Sequence, residues 1–443
     1  MTTGNTLRRA GIPLLAALTL TALPATAATA TPAAAHHPAA SAASYGHGTS
    51  WHGTSWQGAW AASPQNATAP FTPNWSQQGF DNQTVRQTVR ITAGGTKARI
   101  ELSNRYGSTP LRITGATVAR TVPGASSANS PAVEPGSVRT LTFGGGRAST
   151  TIPVGGTLLS DGVGLRTRAF ETVTVTLYLA GPTGSATFHH VGDATSYRAA
   201  GDHRADASGA AFTETSTSWY YLTGVETSGG PARRDGIVTF GDSITDGVGA
   251  SVDTDSRYPD ELAERLAAAG RPRAVLNHGI SGNQVTNDTT WAGEKALVRF
   301  RKDVLSERGV GTVILLEGIN DIGGSGQSFP SDPTPEVSVN RLIEGHRALI
   351  RQAHAHGLKV VGATLTPIEG SFYFSAENEA KRDAFNTWVR TSGAYDAVVD
   401  FDRAVADPAH PDRILPAYDS GDHLHPGDAG YRAMAAALDL DEL

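Results

Sequence analysis

The chain has no cysteine in 443 residues, which removes disulfides, thiol nucleophiles and cysteine-based metal sites from consideration. Its stability must come from packing. It also lacks any basic run: 36 Lys and Arg stand against 42 Asp and Glu, for a formal net charge of −6, and this balance argues against a nucleic-acid partner. The one long apolar stretch, from about Ile12 to Leu23, is shorter than the ~20 residues of a membrane span, so no transmembrane anchor is expected. No Gly-x-Ser-x-Gly elbow occurs, which takes away the nucleophile of an ordinary α/β-hydrolase.

What is present suggests an exported protein of two domains. Arg8 and Arg9, the apolar stretch after them and the small-residue site Ala25-Thr26-Ala27 read as a secretory signal peptide over residues 1–27. The protein is therefore expected to be secreted, by the general or the twin-arginine route. Residues 28–56 are rich in Ala, Pro, Gly and His and carry a tandem "HGTSW", the composition of a flexible leader. The four histidines there, His36, His37, His47 and His52, are expected to be solvated rather than metal-bound.

Over residues 57–230 the apolar period is two. "ETVTVTLYLAG" sets Val173, Val175, Leu177 and Leu179 on one face and Thr172, Thr174, Thr176 and Tyr178 on the other, while "TVRQTVRITAGGTKARIELSN" alternates on both sides of an Ala-Gly-Gly turn. This predicts a hairpin-rich antiparallel region, an all-β sandwich-like domain. Over residues 231–443 apolar runs at 236–240, 274–279, 311–318, 358–365 and 397–401 alternate with helical segments such as "YPDELAERLAAAG" and "VNRLIEGHRALIRQAHAHG". That alternation predicts an α/β domain with a parallel sheet covered by helices. Sites in such sheets lie at the carboxyl ends of the strands.

"FGDSITDG" (240–247) follows the first of these runs and puts Ser243 where a nucleophile would stand. A serine nucleophile needs a base, a carboxylate to orient it, and neutral donors for the developing oxyanion. "GDHLHPG" supplies Asp422 with His425 three residues on and His423 between them, so that spacing alone leaves two candidate bases. "GISGN" offers the backbone N–H of Gly282, and "EGIND" the side-chain amide of Asn320.

The segments "FGDSITDG", "GISGN", "EGINDIG" and "DHLHP", in this order, resemble the GDSL or SGNH hydrolase superfamily of esterases and lipases over about residues 234–440. The resemblance implies a flavodoxin-like three-layer fold for residues 231–443, with Ser243 as nucleophile, His425 as base and Asp422 as its carboxylate. It also implies Ser243, Gly282 and Asn320 as oxyanion donors, and no cofactor. The β-rich first half lies outside the family's core pattern, although some larger members, similar to xylan esterases, carry such an extension.

Several further signals bear on function. Asp253, Asp255 and Glu264 fall at calcium-loop spacing, but Arg257 and Tyr258 occupy places that such a loop needs for a ligand and a glycine, so no metal is expected. Asp242 and Asp246 are expected to fix the turn around Ser243 by hydrogen bonding. In "FHHV", His189 and His190 fall on opposite faces of a strand, a poor arrangement for one metal ion, and read as surface or strand-packing residues. Phe372, Tyr373 and Phe374 follow the fourth apolar run and are candidate substrate contacts. The expected function is a secreted serine ester hydrolase acting on lipid or phospholipid acyl esters or on acyl esters of polysaccharides. Polysaccharide contact through the β domain is left open. The alternatives are a binding or adhesion protein with a vestigial hydrolase domain, and a serine peptidase.

Overall fold

A computed structural model describes residues 55–124, 129–230, 233–326 and 334–443. The expected signal peptide and all but the last residues of the expected leader lie outside the described residues. From Trp56 to Ser228 the strands pair antiparallel in two main sheets. One has six strands with Gln83–Arg90 and Thr172–Leu179 at its centre, and the other includes Trp56–Ala61, Leu222–Ser228 and Gly95–Ser103. Val85, Val175 and Leu177 of the first sheet and Ile100, Leu102 and Val225 of the second share one buried apolar cluster, as period-two alternation on facing sheets requires. The threonine face of Thr172–Leu179 is buried too. Thr174 shares a 2.7 Å hydroxyl hydrogen bond with Thr121, and Thr176 accepts one from the buried Arg86, whose guanidinium lies over the Phe212 ring.

The chain around the Ala93-Gly94-Gly95 turn departs from the expected hairpin. Gln83–Arg90 belongs to the six-stranded sheet and Gly95–Ser103 to the other, so the segment between them crosses the gap instead of folding back. Neither glycine has a positive φ. They serve close approach instead: a Cβ on Gly94 would meet the Thr167 carbonyl at 2.6 Å, and one on Gly95 the Ser228 carbonyl at 2.5 Å.

Beyond residue 233 the arrangement is α/β. Parallel strands β1 (Gly236–Gly241), β2 (Val275–Gly279), β3 (Val310–Leu316), β4 (Lys359–Ala363) and β5 (Ala397–Val399) stand in the order 2-1-3-4-5. All of β1 is buried, which is why its sequence reads as a continuous apolar run. The helices are α1 (Ser243–Asp246), α2 (Tyr258–Ala268), α3 (Ala296–Asp303), α4 (Ile319–Gly323), α5 (Val339–Ala355), α6 (Ala376–Thr391), α7 (Phe401–Val405) and α8 (Asp428–Ala437). They contact one another in two groups: α8 touches α2 and α7, while α5 touches α3 and α6, and α6 touches α4. Local chemistry starts the long ones, for Ser338 and Ser375 accept the third amide of α5 and α6, the preferred N-cap role of serine.

The antiparallel region covers the edge strand β2, which would otherwise present unpaired backbone groups. Thr92 Oγ1 accepts from Val275 N–H at 3.0 Å, and Ser63 Oγ lies 3.0 Å from Nδ1 of His278 on the same strand. Among the described residues no helix is long and apolar enough to cross a membrane.

Candidate active site

Ser243, Gly282, Asn320 and the aromatics 372–374 follow the carboxyl ends of β1, β2, β3 and β4, and the loop before α8 carries Asp422 and His425. Ser243 opens α1 directly after β1, and the preceding Asp242 caps that helix by accepting from Ile244 N–H at 3.0 Å. Ser243 Oγ–H donates to His425 Nε2 at 2.8 Å, and His425 Nδ1–H donates to Asp422 Oδ2 at 2.6 Å. The other oxygen of Asp422 accepts from the backbone N–H groups of Leu424 and His425 at 3.0 and 2.8 Å. The three-residue spacing therefore closes into a small ring that sets the imidazole's tautomer and direction. Burial would raise the Asp422 pKa, but the His425 ring and these two amides outweigh it and hold the carboxyl well below the usual carboxylate range. His423 stands apart, with its Nδ1 on Asp419 Oδ2 at 2.6 Å and its side chain 55% exposed.

The loops that carry the candidate donors follow β2 and β3. Gly282 has φ of +80° and lies so close to Trp291 that an added Cβ would sit 1.9 Å from the indole, so both backbone and space demand glycine. Asn320, at the start of α4, has its amide fixed at both ends: Nδ2–H donates to the Asn283 carbonyl at 3.0 Å, and Oδ1 accepts from Tyr373 O–H at 2.8 Å. One N–H of Nδ2 remains to be given elsewhere. Asp321 accepts from the amides of Val285 and Thr286 and the Thr286 hydroxyl at 2.7–3.0 Å, so it pins the loop that carries Gly282. Burial pushes its carboxyl up to about 6 against those hydrogen bonds.

Beneath these loops lies Arg299, 1% exposed. Its guanidinium donates to the carbonyls of Gly241 and His278 at 2.7 and 2.8 Å, to Asn283 Oδ1 at 2.7 Å and to Glu317 at 3.2 Å. One side chain thus ties together the carboxyl ends of β1, β2 and β3. Sequence reasoning had not singled it out.

A cavity of about 410 Å³ opens over Ser243, Gly282, Asn320 and His425. Its walls are largely apolar and come from both halves of the chain: Trp291, Phe372 and Leu424 from the α/β part, and Phe71, His190 and Asp193 from the antiparallel region. Of the three candidate aromatics, Phe372 is 62% exposed at the cavity wall, and Tyr373 is buried beside it. Phe374 faces a separate depression next to Glu377 and Lys381. His189 and His190, read as surface or strand-packing residues, are both buried, at 4% and 3% exposure. His190 stacks on Phe71, and burial holds its pKa down at about 4.

The carboxylates considered for calcium are engaged elsewhere. Asp253 accepts from Thr195 N–H and Oγ1–H at 2.7 and 2.6 Å, and Asp255 lies 3.9 Å from both Arg90 and Arg257. One acidic trio among the described residues, Glu379, Asp383 and Asp412, comes within metal-chelating range. Arg382 forms ion pairs with all three of these carboxylates and offsets one of their charges.

Residues 239–433 match the GDSL-like Lipase/Acylhydrolase family. No curated protein matches the chain significantly. Among solved structures, an acetylxylan esterase from Geobacillus stearothermophilus is similar at 21% identity, covering 48% of this chain and 94% of that one, with a TM-score of 0.37. A lipase/acylhydrolase from Enterococcus faecalis is similar at 22% identity, over 46% of this chain and 92% of that one (TM-score 0.36). A GDSL-like lipase from Bacteroides thetaiotaomicron is similar at 19% identity, over 46% and 85% (TM-score 0.33). Residues 239–433, which include Ser243, are thus a GDSL-like lipase/acylhydrolase domain, and the chemistry this supports is the hydrolysis of carboxylic esters.

Proposed function

We propose that the protein is a secreted serine esterase in which Ser243, His425 and Asp422 form a catalytic triad. Ser243 Oγ attacks the ester carbonyl while His425 Nε2 takes its proton, and Asp422 holds the ring and balances the imidazolium. The backbone N–H groups of Ser243 and Gly282 and the free N–H of Asn320 Nδ2 stabilise the oxyanion. His425 then protonates the departing alcohol. Water, deprotonated by the same nitrogen, attacks the acyl-enzyme and releases the acid. The observation that carries this reading is the unbroken hydrogen-bond chain from Ser243 through His425 to Asp422, at 2.8 and 2.6 Å, at the carboxyl end of β1. The 2-1-3-4-5 strand order and the two groups of helices support a flavodoxin-like three-layer fold around it.

The aromatic and aliphatic walls of the cavity favour esters with an apolar acyl or alcohol group. The antiparallel region acts as one wall of the cleft, through Phe71 and His190. Product release from phosphatidylcholine and from acetylated xylan, measured side by side with Ser243→Ala as control, tests the assignment. Fatty acid released by the wild type alone supports the apolar-ester reading, whereas acetate from xylan alone moves the substrate to acylated glycans. Turnover by Ser243→Ala equal to wild type sinks the triad. Retention of Ser243→Ala protein on insoluble xylan tests polysaccharide contact by the antiparallel region, and casein separates a peptidase from an esterase.

A further inference from the structure

The antiparallel region contributes a buried charge to the nucleophile helix. His189 is 4% exposed. Its Nδ1 lies 2.8 Å from the Ser63 carbonyl, and its Nε2 lies 2.9 Å from Asp246 Oδ1 and 3.1 Å from the Val191 carbonyl. All three partners are acceptors, so both ring nitrogens must carry hydrogen and the ring is an imidazolium. Burial alone would lower its pKa, but Asp246 and the two carbonyls overcome this and leave it above the ordinary value. The ring also stacks on Trp219 at 5.5 Å, a face suited to a cation.

Asp246 closes α1, three residues after the nucleophile, and is 2% exposed. Its second oxygen, Oδ2, accepts from Ser281 N–H at 2.8 Å and from Ser281 Oγ–H at 2.6 Å. Ser281 immediately precedes Gly282. The carboxylate therefore joins the helix of the nucleophile to the turn that presents the glycine amide, and His189 supplies the positive charge facing that buried carboxylate. A buried anion left without its partner is strongly unfavourable and would rearrange, releasing one or both Ser281 contacts.

We propose that His189 is a positioning residue for ester hydrolysis: through Asp246 it holds the Ser281–Gly282 turn where the tetrahedral intermediate needs it. This rests on the reading of Gly282 as an oxyanion donor. It makes the antiparallel region part of the catalytic machinery as well as a wall of the cleft.

The test compares His189→Gln, Asp246→Asn and the double variant on p-nitrophenyl acetate, each checked for a cooperative thermal transition. Gln keeps hydrogen-bonding capacity and removes the charge. The expected result for His189→Gln is a fall in kcat of about 10- to 100-fold, the scale of a small misplacement of a reacting group, with KM unchanged. The double variant should be no slower than Asp246→Asn alone, because both substitutions act through one carboxylate. Phosphonylation of Ser243 by an aryl phosphonate, whose tetrahedral adduct needs the same donors, should slow in parallel with kcat. Wild-type kcat in His189→Gln, or fully additive losses in the double variant, overturns the proposal. If His189→Gln does not fold, Ser281→Ala removes only the hydroxyl donor to the same carboxylate: a lower kcat at unchanged KM supports the relay, and an unchanged kcat refutes it. Ser243→Ala is run alongside. Activity there would reject the triad itself, a failure distinct from a silent His189→Gln.

Discussion

Tyr373 is the side chain whose smallest alteration makes the largest demand on the proposed oxyanion site. Its hydroxyl donates to Asn320 Oδ1 at 2.8 Å in a buried setting, while Asn320 Nδ2 donates to Asn283. Tyr373→Phe removes one oxygen and leaves Oδ1 buried without a donor, a deficit of about 1–3 kcal/mol for a neutral buried acceptor. The amide can recover part of that only by rotating, and rotation moves Nδ2 away from the place where the oxyanion forms. A loss of about 1–2 kcal/mol in transition-state stabilisation corresponds to a kcat lower by about 5- to 30-fold. The ceiling is set by Asn320→Ala, which removes the donor outright and should lower kcat by about 10²- to 10³-fold. Steady-state kinetics on p-nitrophenyl acetate measure both variants, with KM expected to hold, since a donor used only by the tetrahedral species does not bind the ground state. The double variant should match Asn320→Ala. Wild-type kcat in Tyr373→Phe, or a double variant slower than Asn320→Ala by the full Tyr373 factor, would show that the hydroxyl does not act through the amide.

Other substitutions probe the remaining parts of the site. Gly282→Ala forces a side chain into a +80° φ and into the Trp291 ring, so activity on the same ester should fall by at least about 10²-fold, the worth of an oxyanion donor; near-normal kcat would remove Gly282 from the site. Phe372→Ala strips an exposed ring from the cavity wall and should lower kcat/KM for p-nitrophenyl octanoate by about tenfold, the scale of one lost apolar contact, while sparing the acetate. Equal losses on both esters would deny it an acyl-chain role. Burial raises the Asp242 carboxyl to about 7 against its hydrogen bond from Ile244, so the folded chain keeps a proton that the unfolded chain releases above about pH 4. The stability this proton contributes is complete below that value and is lost as pH rises through 7. Urea midpoints at pH 5 and pH 8 should therefore differ less in Asp242→Asn than in the wild type, and an equally large difference in the variant would refute the buried, protonated carboxyl.

The parts of the candidate site that were legible in the sequence are those where chemistry and backbone favour one residue type near a strand end. Ser243, Gly282 and Asn320 each stand within four residues of an apolar run that became β1, β2 or β3, and Asp422 and His425 are joined by a local ring of hydrogen bonds. The five parallel strands were legible for a related reason, since burial on both faces leaves nothing but apolar runs. Much of what escaped is buried polar residues whose partners lie far along the chain. His189 meets Asp246 57 residues away, and Ser63 meets His278 215 residues away, and no local period registers such pairs. The Gly94-Gly95 step misled for the same reason, because its glycines answer to backbone at Thr167 and Ser228 and not to a turn of their own.

Periodicity still held a clue that hydropathy alone discards. On α3 the buried positions are Ala296, Arg299, Phe300 and Asp303, the i, i+3, i+4, i+7 stripe of a core-facing helix, with an oppositely charged i, i+4 pair at two of the four places. A charge on the solvent face needs no explanation, whereas a charge on the core stripe must find partners inside. Arg299 finds them in two strand-end carbonyls, Asn283 and Glu317. In "FHHV" both His189 and His190 are buried, one joined through Asp246 to the helix that Ser243 opens and the other on the cavity wall. Charged or titratable residues that break an otherwise apolar stripe are thus where this sequence pointed beyond its strand-end motifs, and in this chain both such places lead to the loops around Ser243.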